Sequence, residues 1–438
     1  MTIEAPRGTL DVLPAEQPLR DAIVGAAEEV ASLAGYGRIV TPVFEDTELF
    51  ARTSGAGSDV VQKEMYTFED RAGRSLTLRP EGTAPVARAY LEHGLHREPQ
   101  PVKTFYVAPM YRYAAPQKGR YREFWQIGFE AMGSSDPALD AELIALFHEI
   151  ERRLGIEGTR LELNSIGDRD CRPGYVERLR AFLKERADRL DEDARRKAEA
   201  SPLRVFDTKN PDVAEALEGA PTIGESLCDA CRDHFAAVRE FLDAYGIAYE
   251  LEPTLVRGLD YYTRTVWEFK NEGLGAAQST VCAGGRYDYL VEEIGGPATP
   301  GVGWAAGIER LGMSSTVDLR RAPVDVFFML APDAPRPVAL AQMAELRRAG
   351  LRCEADHAGR SMKGQMTHAG RLGARTIVRV EGDTATLRRE GRDVEADVPL
   401  SEVAARLMGL PTLRPATDVT AEGRTGGARE ASEVERGT

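Results

Sequence analysis

Two runs of strand-forming residues, KTFYVAPMYRY (103–113) and EFWQIGFEAMG (123–133), stand on either side of a short basic loop, 114–122. Aromatic and β-branched side chains suit a pleated, half-buried surface. Two such runs so close in sequence pair as a long antiparallel hairpin. A hairpin alone is marginal in water, so more strands must join it and an antiparallel sheet has to grow around it. The loop brings Lys118, Arg120 and Arg122 together, with Arg112 at the end of the first strand and aromatics on both flanks. That set suits a ligand that is anionic and flat. Ala114 and Ala115, directly after Arg112-Tyr113, can hold nothing.

The segments around the hairpin fill out this plan. Leu19, Ile23, Val24, Ala27 and Val30 keep a helical period over 20–34. Ile39-Val40 reads as a strand with Pro42 at its end. SLTLRPEGTAPVARAYLEHGL predicts a strand to Arg79, a turn, and a helix with Thr83 as N-cap. A helix follows over 137–154, then a strand at TRLELNSIG. From 168 to 246 the chain turns helical and charged, as an insertion would. Strands resume at IAYELEPTLVRGLDYYTRTVWEFK, and 277–311 is glycine-rich and ends in a helix, WAAGIERLG. A boundary falls near 314–323. Beyond it VDVFFML, a helix at 333–349, LRCEAD, a helix at 361–372 and RTIVRV alternate as a small βαβαβ domain with a parallel sheet. The tail, 410–438, has few apolar residues and is expected to be disordered.

Composition excludes several classes. The chain of 438 residues is long enough for two or three domains. It has no apolar run of membrane-spanning length, and its polar, proline-broken start MTIEAPRGTLDVLP is not expected to act as a signal peptide. Five cysteines at irregular spacing (Cys171, Cys228, Cys231, Cys282, Cys353) give no disulfide framework and favour a reducing cytoplasm. A net charge of −14 excludes a basic coat but leaves room for a local basic patch.

Each candidate motif admits a plain structural reading beside a chemical one. Arg79, Glu81 and Thr83 at a strand-to-helix turn could receive an ammonium, or could simply cap a helix. In RGLDYYTRTVWEF, a strand from Tyr261 would send Tyr261 and Tyr262 to opposite faces, one lining a pocket and one packing. GVGWAAG is one residue too long for the short dinucleotide fingerprint and lacks a βαβ frame, and the chain has no P-loop. Cys228, Cys231 and His234 share a helix face, but a closed zinc site needs four ligands, usually from two pairs. No second pair exists and Cys171 would have to serve alone, so no residue is assigned to a metal. Arg360, Lys363, Arg371, Arg375 and Arg379 fall in a stretch free of acids and suit phosphates, or form a solvated face.

The order of these motifs carries a family resemblance, from PRGTLDVLP to about residue 409. The chain resembles histidyl-tRNA synthetases, which are class II aminoacyl-tRNA synthetases. YGRIVTPVFEDTELFART is similar to their motif 1, the dimer-forming segment around Pro42. MYRYAAPQKGRYREFWQIGFE resembles motif 2 and GVGWAAGIERL motif 3. LVRGLDYYT and CAGGRYD resemble two stretches particular to the histidine enzymes, and GRSMKGQMTHAGRLGA resembles the anticodon-binding domain.

The resemblance implies an α+β class II catalytic core, an antiparallel sheet with helices, over 1–323, with the helical insertion 168–246 inside it. It implies an α/β anticodon-binding domain over 324–409 and a cytoplasmic homodimer. The implied reaction consumes ATP, with Mg²⁺, to make histidyl-adenylate, and then charges tRNA(His). Carried over residue by residue, Arg112 would hold the α-phosphate and Arg310 the γ-phosphate end, with Arg257 beside the reacting carboxylate. Glu81, Thr83, Gln126 and Glu130 would surround the ammonium and ring of histidine, with Tyr262 on the imidazole and Tyr261 and Tyr287 beside it. Gln117, Arg120 and Arg122 would face the tRNA acceptor end, and Arg360 and Lys363 the tRNA body. The chain departs from the family at Ala114-Ala115, where an acid and then an arginine are usual, and at Trp125, where histidine is common. Two silent readings share the core. One is a regulatory subunit of ATP phosphoribosyltransferase, which generally lacks the anticodon domain and the full arginine set. The other is a histidine- and tRNA-binding sensor without catalysis.

Overall fold

The computed structural model describes residues 2–55, 58, 60–208, 210–275, 279–317 and 323–409. The tail expected to be disordered and part of the expected boundary lie outside them. The chain divides into two compact units, Met1–Arg320 and Arg321–Thr438.

The first unit opens with α1 (Gln17–Leu33), which buries Ile23, Ala27 and Val30 at helical spacing. Strands β1 (Gly37–Arg38) and β2 (Phe44–Asp46) follow; Ile39-Val40, expected as a strand, stand between the two, directly after β1. Next come α2 (Thr47–Thr53), β3 (Tyr66–Glu69), β4 (Ser75–Leu78) and α3 (Thr83–Glu92). The hairpin is β5 (Val102–Tyr111) and β6 (Glu123–Met132), paired from Val102↔Met132 to Tyr111↔Glu123. Then α4 (Pro137–Arg153) and β7 (Thr159–Ser165) lead to the helical segment. This contains α5 (Arg172–Glu185), α6 (Glu192–Ala200), α7 (Pro211–Ala216) and α8 (Asp229–Tyr245). The unit ends with β8 (Glu250–Leu251), β9 (Thr263–Asn271), β10 (Thr280–Arg286), α9 (Leu290–Glu293), β11 (Gly301–Gly307) and α10 (Ile308–Ser314).

Eight of these strands form one sheet in the order β1-β5-β6-β11-β10-β9-β7-β8, antiparallel throughout its centre. One face carries the main core: Phe105, Ile127, Phe129, Trp267 and Trp304 pack on α1, α4 and the second half of α8, through Val238 and Leu242. The helical segment builds its own small core from Tyr175, Leu179, Leu183, Val205 and Cys231. Helix α8 therefore belongs to both. The GVGWAAG run is strand β11, not the helix entry expected of WAAG. A Cβ at Gly303 would lie 1.8 Å from a Glu130 carboxylate oxygen, so glycine serves close packing there.

The second unit is β12 (Val326–Leu330), α11 (Arg336–Arg348), β13 (Cys353–Ala355), α12 (Met362–Arg371) and β14 (Thr376–Glu381), as the alternation predicts. β13, β12 and β14 are parallel. The sheet then continues with antiparallel β15 (Thr384–Arg389) and β16 (Arg392–Pro399), capped by α13 (Val403–Met408). A purely parallel sheet was expected, and the polar alternation of these last strands hid them.

One buried ion pair ties the first unit together. Arg286, at the end of β10, and Asp140, on α4, are both fully buried. Arg286 Nε donates to Asp140 at 3.1 Å, and its terminal nitrogens donate to the carbonyls of Ser134 and Asp136 and to Asp288. His234 of α8 approaches the same Asp140 carboxylate at 3.2 Å. Burial alone would raise the Asp140 pKa, but Arg286 and the His234 hydrogen bond outweigh it and bring it down to about 2. Its folded value is below the ordinary carboxylate value of 3.8, so its stabilisation is full above about pH 4 and fades as pH falls toward 2. Asp140→Asn should therefore destabilise the protein by about 3–5 kcal/mol at neutral pH, because it strands a buried guanidinium. In urea unfolding monitored by tryptophan fluorescence, the gap between wild type and variant should hold above pH 4 and narrow below it.

Candidate active site

The second face of the large sheet carries a patch of small side chains at its centre. With a period of two, Phe124, Gln126, Gly128 and Glu130 share one side of β6, and Gln126 and Gly128 pair with Ala108 and Tyr106 of β5. Across β6, Ala305 of β11 sits opposite Gly128, and Ala283 of β10 sits opposite Ala305. Small residues leave a hollow there, and a cavity of about 250 Å³ opens over them. Tyr106 was not singled out by its sequence. Its ring lies within 2.6 Å of where a Cβ would stand on Gly82 and Gly128, so those two glycines make the room for it.

One end of the cavity is buried and polar. Thr83 begins α3 without capping it. Instead the Glu81 carboxylate accepts the backbone N–H groups of Thr83 at 2.6 Å and Ala84 at 2.9 Å. The Thr83 hydroxyl donates to Glu130 at 2.7 Å, and the Tyr287 hydroxyl donates to the other Glu130 oxygen at 2.5 Å. Glu130 and Tyr287 stand behind the cavity wall, while Glu81, Thr83, Gln126, Tyr261 and Tyr262 line it. Tyr261 and Tyr262 precede β9 and lie in a turn, so the pleat does not separate them. Their ring centroids are 4.6 Å apart and both face the cavity, against the expectation that one would pack elsewhere. Among the described residues, Tyr106 Oη and Gln126 Oε1 are buried with no hydrogen-bond partner. Two unsatisfied polar atoms in one cavity are the mark of a ligand subsite.

The other end is cationic. Arg112, Arg120, Arg257 and Arg310 all line the cavity. Arg112 Nε is fixed by the Pro80 carbonyl at 2.8 Å. Arg310 is held by the carbonyls of Gly119 at 3.1 Å and Thr280 at 2.7 Å. Arg257 pairs with Glu268, and Arg120 with Glu64 at 2.8 Å. Burial lowers the pKa of both Arg112 and Arg310, and the guanidinium groups of Arg120 and Arg112 lower that of Arg310 further. Like charges gathered in a partly desolvated space create a strong field for an anion.

The hairpin loop is shaped by reciprocal backbone bonds between Gln117 and Arg120, with Gly119 at φ +74°. Arg122 stacks over Tyr113 at 3.9 Å, its Nε donates to the carbonyl of buried Ala114 at 3.3 Å and its backbone N–H reaches Gly8, and it does not itself line the cavity. Trp125 receives the Arg20 guanidinium at 4.5 Å, and Glu309 accepts its backbone N–H. In the second unit the basic stretch is less free than its sequence suggested. Arg360 pairs with Asp356, Arg375 with Asp325 and Arg379 with Glu381, all acids outside the stretch, while Lys363 is exposed.

Comparison with known proteins agrees with this geometry. The sequence model of the family described as histidyl-tRNA synthetase matches residues 8–311. A histidine–tRNA ligase of Desulforudis audaxviator is 47% identical over 93% of this chain and 99% of its own length. The chain belongs to the histidyl-tRNA synthetase family. The crystal structure of the apo histidyl-tRNA synthetase of S. aureus superposes with a TM-score of 0.76 at 33% identity, covering 92% of this chain and 99% of that one. A Bacillus halodurans structure titled an ATP phosphoribosyltransferase regulatory subunit/histidyl-tRNA synthetase shares the fold, with a TM-score of 0.64 at 24% identity over 87% of this chain and 99% of that one. The class II core and the C-terminal α/β unit are thus those of the synthetase family.

Glu130 offers a direct check on the buried end. Burial pushes its pKa up to about 8, against the pull of its two hydroxyl donors, and Glu81 adds to the rise. Its folded pKa exceeds the ordinary glutamate value of 4.5, so wild-type stability falls as pH rises from 4.5 to 8. Glu130→Gln should be close to neutral in stability at low pH and should gain on wild type across that range, read from urea midpoints at each pH.

Proposed function

We propose that this chain activates L-histidine with ATP and transfers the histidyl group to the 3′-terminal adenosine of tRNA(His). The observation that carries this reading is the polarity of one cavity, with four guanidinium groups at one end and buried carboxylate, hydroxyl and amide groups at the other. A carboxylate oxygen of histidine attacks the α-phosphorus, the bond to the β-phosphate oxygen breaks, and pyrophosphate leaves. Negative charge then builds on phosphate oxygens, where fixed cations act most strongly and reorganise least.

In this reading Arg112 holds the α-phosphate, its stem fixed by Pro80 so that the terminal nitrogens meet the ligand. Arg257 lies beside the reacting carboxylate and the α-phosphate, and Arg310 takes the γ-phosphate end. The cavity carboxylates Glu81 and Glu309 already accept backbone N–H groups, so Mg²⁺ would come in on the triphosphate, where it neutralises phosphate charge. Glu81, Thr83 and Gln126 surround the histidine ammonium and ring, with Tyr262 on the imidazole and Tyr261 beside it. Glu130 and Tyr287 support that end from behind. Neutral imidazole presents one donor and one acceptor, and a pocket that pairs both rejects analogues by roughly 10⁴–10⁵, so no editing site is needed.

The tRNA would meet Gln117, Arg120 and Arg122 at its acceptor end, and Arg360 and Lys363 on the second unit. A second copy of the chain would cover the apolar residues exposed around Pro42, such as Val40 and Phe44, which are 82% and 49% exposed. No helix among the described residues is long and apolar enough to cross a membrane, and the cytoplasm is where such a substrate set occurs together.

Charging assays test the reading. The full-length protein should attach histidine to total tRNA, and removing the site of Arg112 or Arg310 by alanine should cost about 3–4 kcal/mol in transition-state stabilisation. A folded protein that charges no tRNA with histidine would leave only the silent, regulatory or sensing, readings. Lys363→Ala should raise the KM for tRNA while leaving adenylate formation unchanged. Equal loss in both steps would remove Lys363 from the tRNA surface.

A further inference from the structure

A second cluster of reactive groups sits where the helical segment leaves and rejoins the sheet, apart from the cavity arginines. Asp168 follows β7, Cys171 precedes α5, Cys228 precedes α8 and Cys231 lies in its first turn. One ligand atom from each of these four residues lies within 4.8 Å of all the others. Cys171 Sγ and Cys231 Sγ are 3.9 Å apart. Asp168 carboxylate oxygens are 3.4 Å from Cys171 Sγ, 3.0 Å from Cys231 Sγ and 3.9 Å from Cys228 Sγ. A tetrahedral zinc ion, with sulfur at about 2.3 Å and oxygen at about 2.0–2.2 Å, sets edges of roughly 3.8 Å between sulfurs and roughly 3.5 Å between sulfur and oxygen. The measured spacings fall around those edges. They are nearly twice the length of a disulfide bond.

We infer that Asp168, Cys171, Cys228 and Cys231 form a closed structural site for one zinc ion. The fourth ligand that the sequence lacked is a carboxylate, and Cys171 serves without a pair of its own. His234 takes no part, because it faces Asp140 instead.

The surroundings are those of a built site. Gly167, at φ +63°, lets the chain turn tightly, and a Cβ there would stand 2.6 Å from Cys171 Sγ. The Asp168 backbone N–H points at Cys171 Sγ at 3.4 Å, and the N–H groups of Asp170 and Cys171 point at the Asp168 carboxylate. Such outer bonds orient ligands and spread their charge. Three thiolates and a carboxylate on a divalent ion leave two negative charges. The amino ends of α5 and α8 and the Arg264 guanidinium, 3.6 Å from Asp168, offset them. Arg264 itself holds a left-handed φ of +48°, a strained backbone next to the cluster. On binding, the three thiols release their protons to solvent and no electron moves. Thiolate ligands in a tetrahedron select zinc over the harder ions. All four positions are filled by protein, so the ion pins the helical segment to the sheet and offers no open site for catalysis. It also steadies the substrate end of the cavity, since Arg172 of α5 donates to the Tyr262 carbonyl at 2.6 Å.

Elemental analysis of the untagged, full-length protein tests this independently of any activity. The expected result is one zinc per chain, retained by Cys353→Ser in the second unit and lost by the double variant Cys228→Ser/Cys231→Ser. As a control that does not depend on the variant's folding, wild type is also stripped with a chelator and titrated with cobalt(II) alone. Thiolate-to-cobalt charge transfer with tetrahedral ligand-field bands, saturating at one ion, supports the site. Wild type that carries no zinc and gives no such bands, a disulfide among the three cysteines, or a folded double variant that keeps its zinc would each overturn it.

Discussion

The buried pair between Arg286 and Asp140 is the contact through which the first unit is assembled. Two full charges out of water cost far more than they return unless every donor and lone pair is met. Here the guanidinium reaches Asp140, Asp288 and the carbonyls of Ser134 and Asp136, and His234 completes the carboxylate. The result fixes three elements at once. β10 is held against α4, α4 against α8, and the turn before α4 against the end of β10. An apolar contact could supply comparable energy, but a directional one also sets register. β10 needs that register, since its other end brings Thr280, Val281, Cys282 and Ala283 to the cavity.

The cavity shows the reverse arrangement. Its arginines are held by carbonyl oxygens and single carboxylates, so positive charge remains in excess where water is partly excluded. Its opposite end leaves Tyr106 Oη and Gln126 Oε1 without partners. A folded protein tolerates such unsatisfied groups where a ligand completes them. The site and the Arg286 pair are thus complementary: full satisfaction where the frame is built, and deliberate deficit where the ligands bind.

Much of this was legible in the sequence. The hairpin could be read because strand-forming residues and turn residues agree locally, and the parallel part of the second unit because apolar strands alternate with amphipathic helices. The cavity residues Arg112, Arg257, Arg310, Glu81, Thr83, Gln126, Tyr261 and Tyr262 were read chiefly from motif resemblance, and the structure gathers them on one cavity. What escaped were contacts made over long sequence distances. Arg286 was visible only as part of CAGGRYD, because its partner lies on a different helix. Tyr106 could have been found from Gly128, a glycine inside a strand with no turn to make, together with Gly82 just before α3. The tyrosine pair was misread because the strand starts after it. The basic stretch at 360–379 looked free of acids because its acids, Asp325, Asp356 and Glu381, stand outside it. Strands β15 and β16 are polar, but the glycines at 382 and 391 that bound them were a usable signal. Asp168 joins the three cysteines only once α5 and α8 fold back together, which spacing alone cannot reveal.

The central claim is that one cavity joins a phosphate-binding arginine set to a histidine-reading end. Exchange of labelled pyrophosphate into ATP measures that junction directly, because it requires both substrates and no tRNA. The account predicts exchange that depends on histidine, is not supported by other amino acids, and collapses in the Arg257→Ala variant. Exchange that is absent at saturating ATP and Mg²⁺ with folded protein, or that proceeds equally with other amino acids, would contradict it.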